Sequence, residues 1–187
     1  MKIGVFIGSF NPVHKGHIKI VNYIVENKYV DKILIVPTPN YWDKNDIIDV
    51  KHRIKMLENY ETDQIIVERE ATNLVYTIDV INELKNKYKN DELILILGAD
   101  NIVLFDKWKN YKDLLKLKLI IYKRDNIDIN KYLKNLNKVN DVIVLNDVDS
   151  IDISSTKIRN MIVNNKNLDN YLDKEVIEYI NKNKLYK

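Results

Sequence analysis

Cysteine is absent from this 187-residue chain, which excludes disulfides, thiolate zinc sites, iron–sulfur clusters and cysteine nucleophiles. Long hydrophobic runs are missing too, because an apolar run such as Leu93–Leu97 is far shorter than the roughly 20 residues that a membrane-spanning helix needs. The chain enters the apolar segment Ile3–Ile7 almost at once, with no small-residue cleavage site, and a polar loop follows. We therefore expect no signal peptide and a cytoplasmic protein.

A strong excess of charge of one sign is also missing, because 30 Lys and Arg residues face 27 Asp and Glu residues, for a net charge of +3. Only four of the basic residues are arginines, and no arginine-rich or aromatic-interleaved patch indicates a nucleic-acid surface. We expect neither nucleic acid nor a membrane as partner. The length predicts one domain over residues 1–187, with a C-terminal helical segment from about residue 154 to 187 packed on it.

Short apolar segments rich in β-branched residues alternate with segments whose apolar residues recur at helical spacing. This alternation is typical of βαβ units and predicts an α/β fold: a Rossmann-like, doubly wound parallel sheet with helices on both faces. Ligands of such sheets bind at the carboxyl ends of the strands. The predicted strands are Lys2–Ile7, Lys32–Val36, Gln64–Val67, Glu92–Leu97, Leu117–Tyr122 and Val142–Leu145; the predicted helices are His17–Glu26, Val50–Tyr60, Thr77 to about Lys89, Ser154–Val163 and Lys174–Lys182.

The first polar loop, from Gly8 to His17, follows the first predicted strand and leads into the first predicted helix. Gly8 lets the backbone approach a ligand closely, and N–H groups at the start of a helix favour an anion. His14 and His17 are two of only three histidines, and both can donate hydrogen bonds to phosphate oxygens. Two other interpretations stay open: a capping loop with incidental histidines, and a metal-binding histidine pair.

A second cluster, Ser154-Ser155-Thr156, opens the helix that carries Arg159. Hydroxyls and backbone N–H groups at a helix start predict an anion cradle, and an arginine fork can bind two phosphate oxygens at once. An ordinary helix cap is the alternative, although one hydroxyl would suffice for it. Two such helix starts on one sheet indicate a nucleoside triphosphate, held at its α-phosphate by one and at its β- and γ-phosphates by the other.

The middle of the chain offers a third polar segment, Gly98-Ala99-Asp100-Asn101, which follows the fourth strand and leads to Trp108. One interpretation gives ribose hydroxyls to Asp100 and an aromatic ring to the flat face of Trp108. The alternative is a plain strand-to-helix turn, with Asp100 as cap and Trp108 in the core. Thr77 opens the third helix, whose N-terminus suits a carboxylate.

The motifs Gly8–His17 and Ile153–Arg159 together resemble the nucleotidyltransferase superfamily of the H-x-G-H type. Val75–Asp79 and Gly98–Trp108 are similar to the nicotinate-mononucleotide adenylyltransferases, so the resemblance covers essentially the whole chain. It implies an enzyme that transfers AMP from ATP to nicotinate mononucleotide, giving deamido-NAD and pyrophosphate in NAD biosynthesis. A pantetheine-phosphate adenylyltransferase and a catalytically idle nucleotide-binding module remain as alternatives.

The resemblance also implies roles for single residues. Tyr76, Thr77 and Trp108 would bind nicotinate mononucleotide, with Trp108 stacked on the nicotinate ring and backbone amides near Thr77 on its carboxylate. The implied catalytic residues are His14, His17, Lys44 and Arg159. The implied ATP contacts are Gly8, Ser9, Phe10, His14, His17, Asp100, Ser154, Ser155 and Arg159.

This chain departs from the family pattern at three positions near the predicted site. Ile7 stands where a second Gly is frequent, Asn11 where Asp is usual, and Asp43 where a His precedes the lysine aligned with Lys44. We expect Mg²⁺ to accompany ATP with mostly water ligands and no fixed protein ligand. The oligomeric state stays open, a homo-oligomer included.

Overall fold

A computed structural model describes residues 1–40, 47–123, 127–138, 141–146, 148 and 153–187. Its centre is a six-stranded sheet in the order β3-β2-β1-β4-β5-β6, and every neighbouring pair runs parallel. The chain therefore winds outward from β1 in one direction and from β4 in the other, which confirms the predicted Rossmann-like topology. The strands are β1 (Lys2–Gly8), β2 (Lys32–Pro37), β3 (Ile65–Val67), β4 (Glu92–Gly98), β5 (Lys118–Tyr122) and β6 (Val142–Leu145).

Eight α-helices accompany these strands in the described part of the chain. Five correspond to predicted helices: α1 (Lys15–Glu26), α2 (Val50–Leu57), α3 (Thr77–Lys87), α7 (Ser155–Val163) and α8 (Lys174–Lys182). The other three, α4 (Ala99–Ile102), α5 (Tyr111–Leu114) and α6 (Ile129–Asn135), were not predicted. They have only four to seven residues, too few for a helical apolar repeat to show in the sequence. Three 3₁₀ segments complete the set, at Glu58–Tyr60, Glu70–Asn73 and Phe105–Lys107.

Alternate residues of each central strand face opposite sides of the sheet and enter two separate cores. Phe6 and Ile96 face the side covered by α1, α2, α7 and α8. Val5 and Leu95 face the side covered by α3, α4, α5 and α6. Because both faces are covered, the inner strands are apolar throughout, and the carboxyl edge of the sheet is left for polar loops. No helix in the described part of the chain combines the length and apolarity needed to cross a membrane.

Candidate active site

A cavity of about 430 Å³ opens at the carboxyl ends of β1 and β4, the point from which the chain winds outward in both directions. We call it the switch-point cavity. Gly8 and Gly98, the last residues of these two strands, form part of its floor. A Cβ at Gly98 would collide with the Asp100 carboxylate and approach the Tyr122 hydroxyl oxygen to 3.0 Å. A side chain at position 98 would therefore require the Asp100 carboxylate to move. The further lining residues are Phe6, Ile7, Ser9, Thr38, Val75, Tyr76, Thr77, Leu95, Ile96, Leu97, Asn101, Lys107, Trp108, Lys109 and Tyr122.

The two histidines form a reciprocal cap at the start of α1. The backbone N–H of His17 donates to Nδ1 of His14, and the N–H of His14 donates to Nδ1 of His17, both at 3.3 Å. Their rings stack with centroids 3.6 Å apart. A Cβ at Gly16 would lie 3.0 Å from Nδ1 of His14, so the glycine makes room for this arrangement. The helix begins at Lys15, with His14 as its cap; the predicted start at His17 was wrong because imidazole is not an expected capping group.

This cap orients both imidazoles for hydrogen-bond donation. Because each Nδ1 accepts a backbone N–H, the proton of each neutral ring resides on Nε2. Each ring therefore carries an N–H donor on the side away from its own backbone. The capping-loop and phosphate-donor interpretations of the sequence are compatible, since Nδ1 of each ring serves the cap and a phosphate donor would use Nε2. No group of three or more metal-ligating side chains is found among the described residues.

Phe10 stabilises the turn that precedes the histidines. Its φ of 46° lies in the left-handed region, which costs a non-glycine residue about 1–2 kcal/mol. The buried ring offsets this cost by packing edge-on against Phe6, at a centroid distance of 5.3 Å, and against His17, at 5.1 Å. A Cβ at Gly8 would lie 3.1 Å from the Phe10 ring. The loop is thus fixed by packing as well as by hydrogen bonds.

The C-terminal motif lies directly against this loop. Ser155 donates its hydroxyl to the carbonyl of Pro12 at 2.9 Å, and Nη1 of Arg159 donates to the carbonyl of Asn11 at 3.0 Å. Ser154 caps α7 by accepting the N–H of Lys157 at 3.2 Å. The structure therefore brings the two predicted phosphate motifs together, although they are about 140 residues apart in the chain. Both hydroxyls already serve the fold, and their contacts with ATP stay predictions.

Arg53 is the buried cation beneath the same loop, and its side chain has no solvent exposure. Its guanidinium donates to the carbonyls of Ser9 and Thr38, each at 2.6 Å, to that of Ile48 at 3.1 Å and to Oδ1 of Asn40 at 2.7 Å. Burial lowers the pKa of Arg53 from its ordinary value. No role was predicted for it from the sequence; the signal that could have indicated one was an arginine, rare in this chain, among the apolar residues of α2.

Asn11 connects this loop to the end of the chain. Its Oδ1 accepts the Tyr186 hydroxyl at 3.0 Å and the N–H of Ile48 at 3.3 Å. Burial raises the pKa of Tyr186, against the opposing effect of the nearby Arg53 and Arg159 cations. An amide oxygen can accept two donors without burying a net charge, which accounts for Asn at a position where Asp was the expected family residue.

The predicted substrate residues Tyr76, Thr77 and Trp108 line one wall of the switch-point cavity. Trp108 is half-buried on Phe105, with ring centroids 5.0 Å apart, so core packing and cavity lining coexist at this residue. It follows the 3₁₀ segment Phe105–Lys107 instead of lying on a longer helix. Tyr76, and not Thr77, occupies the cap position of α3, and no described side chain caps this helix start.

Asp100 and Lys44 complete the predicted set. Asp100 is exposed in the first turn of α4, where its Oδ1 accepts Nδ2 of Asn101 at 3.3 Å. The cap of α4 is Gly98 and not Asp100. The cavity is lined by Asn101 and not by Asp100. The contact of Asp100 with ribose therefore stays a prediction. Lys44 lies outside the described residues.

Comparison with known proteins agrees with this geometry. Residues 5–161 match the family described as cytidylyltransferase-like. The chain is 35% identical over 200 aligned residues to a probable nicotinate-nucleotide adenylyltransferase of Flavobacterium johnsoniae, covering 100% of both proteins. It is 31% identical to the nicotinate-nucleotide adenylyltransferase of Bacillus subtilis, covering 99% of this chain and 98% of that one. The nicotinic acid mononucleotide adenylyltransferase of Plasmodium falciparum, solved with NaAD, has the same fold, with a TM-score of 0.82 at 21% identity and coverage of 99% and 97%.

Proposed function

This chain belongs to the cytidylyltransferase-like family and, within it, to the nicotinate-nucleotide adenylyltransferases, and from that membership we propose that it transfers AMP from ATP to nicotinate mononucleotide, releasing deamido-NAD and pyrophosphate. The observation that carries this proposal is a single loop after β1 that connects the histidine pair and Arg159 to the switch-point cavity. The histidine pair and Arg159 meet at one loop, and the Gly8–Ser9 end of that loop lines the cavity that holds Tyr76 and Trp108.

The reaction is an in-line displacement at phosphorus. An oxygen of the 5′-phosphate of nicotinate mononucleotide forms a bond to the α-phosphorus of ATP. The bond from that phosphorus to the α,β-bridging oxygen breaks, and pyrophosphate leaves with the electron pair. Because the nucleophile is already an anion, no general base is needed, and catalysis rests on positioning and on stabilisation of charge.

We assign the α-phosphate to the histidine pair. Nε2–H groups of His14 and His17 would donate to the phosphate oxygens as charge develops, while the backbone of Ser9 and Phe10 orients the group. Arg159 and the N-terminus of α7 would hold the β- and γ-phosphates. In support of this assignment, Arg159 already donates to the loop carbonyl of Asn11, so its guanidinium lies against the loop that carries the histidine pair. Lys44 belongs to this proposal by family resemblance alone.

The nicotinate ring is assigned to the cavity wall formed by Trp108. An indole face can stack on a pyridine ring, which contributes ~0.5–1.5 kcal/mol beyond the buried area. Stacking does not separate an acid from an amide, so the preference must come from the carboxylate. The N-terminus of α3 favours an anion by ~0.3–1 kcal/mol when exposed and by up to ~2 kcal/mol when partly buried.

Mg²⁺ belongs to this proposal as part of the ATP substrate. No three metal-ligating side chains converge in the described part of the chain. Mg²⁺ usually keeps several waters and binds substrate phosphates, so we expect the triphosphate and water to supply most of its ligands. The ion would neutralise charge on the triphosphate.

A pyrophosphate-release assay tests the function. ATP is supplied with nicotinate mononucleotide, nicotinamide mononucleotide or phosphopantetheine, and CTP replaces ATP as a nucleotide control. We expect turnover with ATP and nicotinate mononucleotide, at a kcat/KM at least tenfold above that for the amide, because unpaired donors facing an NH₂ group are penalised. Turnover with phosphopantetheine instead would show a pantetheine-phosphate adenylyltransferase. Nucleotide binding without turnover of any pair would show an idle module.

A further inference from the structure

Lys109 carries a charge at the mouth of the switch-point cavity, and no role has been assigned to it so far. Its Nζ donates to both carboxylate oxygens of Asp79, at 2.9 and 3.3 Å. The same ammonium lies 4.4 Å from the centroid of the Tyr76 ring. The ion pair therefore links the segment after Trp108 to the first turn of α3. Lys109 lines the cavity, as does Thr77 of that turn, whereas Asp79 does not.

Asp79 is the acidic residue in the first turn of α3, the helix start to which the substrate carboxylate is assigned. Two anions near one helix N-terminus repel each other and compete for the same positive pole. A neutralised Asp79 leaves that pole available to the ligand. We propose that Lys109 is a specificity-determining residue, which sets the preference for an acid over an amide at the pyridine ring by neutralising Asp79.

This inference rests on the proposed function and deepens it. It predicts an order of selectivity that follows the local charge. Asp79→Asn leaves an additional cation and should raise the preference for nicotinate over nicotinamide mononucleotide. Lys109→Met leaves an additional anion and should lower that preference about three- to tenfold. The double variant removes both charges and should return the preference to within about twofold of the wild-type value.

The experiment measures the dissociation constants of both mononucleotides by calorimetry without ATP, and kcat/KM for both with ATP. Lys107→Met is the matched control, since Lys107 lines the same cavity but its ammonium lies 3.3 Å from an Asp106 carboxylate oxygen. Its selectivity ratio should stay within about twofold of wild type. The loss of selectivity in Lys109→Met should be smaller in high salt, because salt screens the charge of Asp79. The Debye length falls from about 10 Å at 0.1 M to about 3 Å at 1 M ionic strength.

Two results would overturn the inference alone: a wild-type preference that Lys109→Met leaves unchanged, or a double variant that stays as unselective as Lys109→Met. The second result would indicate that the ammonium contacts the substrate directly. A wild-type protein that binds neither mononucleotide overturns the proposed function instead. Because Lys109 and Asp79 are both partly exposed, the variants should fold, and their melting temperatures check this.

Discussion

The imidazoles of His14 and His17 contribute Nδ1 to the fold, and we propose that they offer Nε2 to the ligand. Each Nδ1 accepts a backbone N–H of the other residue at 3.3 Å, so the proton of each neutral ring is on Nε2. A donor that acts on developing charge lowers the barrier more than it improves ground-state binding. This division predicts different effects of a histidine substitution on turnover and on nucleotide affinity.

His17→Ala should lower kcat by on the order of 10²-fold or more, with a smaller change in ATP affinity. It also removes half of the α1 cap, which costs about 0.5–2 kcal/mol of stability, so kcat is measured well below the melting temperature of the variant. His52→Ala is the matched control, because its ring pairs with the Tyr179 hydroxyl at 2.9 Å, outside the Gly8–His17 loop. An unchanged kcat in folded His17→Ala would remove this residue from the mechanism.

The Trp108 ring contacts the buried Phe105 ring, and Trp108 also lines the switch-point cavity. Trp108→Ala should weaken both mononucleotides about three- to tenfold, through lost stacking, while the KM for ATP changes less than about twofold. Trp108→Phe keeps a ring and should recover part of the affinity. If Trp108→Ala unfolds the protein while Trp108→Phe binds normally, the ring is a core residue and the stacking assignment is wrong.

At the level of elements, apolar periodicity was sufficient to predict the six strands and the five longer helices, because each buries a stripe or a whole segment. It did not reveal α4, α5 and α6, which are too short to repeat, nor the buried guanidinium of Arg53. Local sequence carries no information about which carbonyls converge on one side chain. From the sequence, Arg159 and the Gly8–His17 loop were predicted only to bind the same ligand. In the structure, Arg159 also contacts the loop directly, through the carbonyl of Asn11.

The contact between Arg159 of α7 and Asn11 leads to a prediction about ATP binding. Arg159→Ala should raise the KM for ATP at least about tenfold, because both a phosphate fork and a loop anchor are lost. Arg159→Lys keeps the charge without the planar fork and should fall between wild type and Arg159→Ala. Arg69→Ala is the control, since Arg69 pairs with Glu58 and Glu61 on the surface and should leave the KM unchanged. Normal ATP kinetics in Arg159→Ala would leave the C-terminal motif as a helix cap alone.

At the scale of the whole molecule, the last residues of the chain contact the Gly8–His17 loop near its beginning. The Tyr186 hydroxyl donates to Oδ1 of Asn11, 175 positions away, and the buried Arg53 joins the same loop to the ends of β1 and β2. The loop is thus held by contacts from α2, α7 and the residues after α8. Stability and loop geometry should therefore change together when the C-terminal contact is removed.

Tyr186→Phe tests this coupling through pH. Burial raises the pKa of the Tyr186 hydroxyl above its ordinary value of 10.0, so the neutral form is favoured in the folded state. The stability contribution is complete below pH 10 and is lost as pH rises toward the folded pKa, because the unfolded tyrosine then releases its proton while the folded one retains it. At pH 8, the variant should be less stable by about 0.5–1.5 kcal/mol through the lost hydrogen bond. Urea unfolding at pH 8 to 11 should show this gap narrowing above pH 10, since the variant has no proton to lose at this position. A constant gap would contradict the raised pKa of Tyr186, and no gap at pH 8 would contradict a stabilising hydrogen bond.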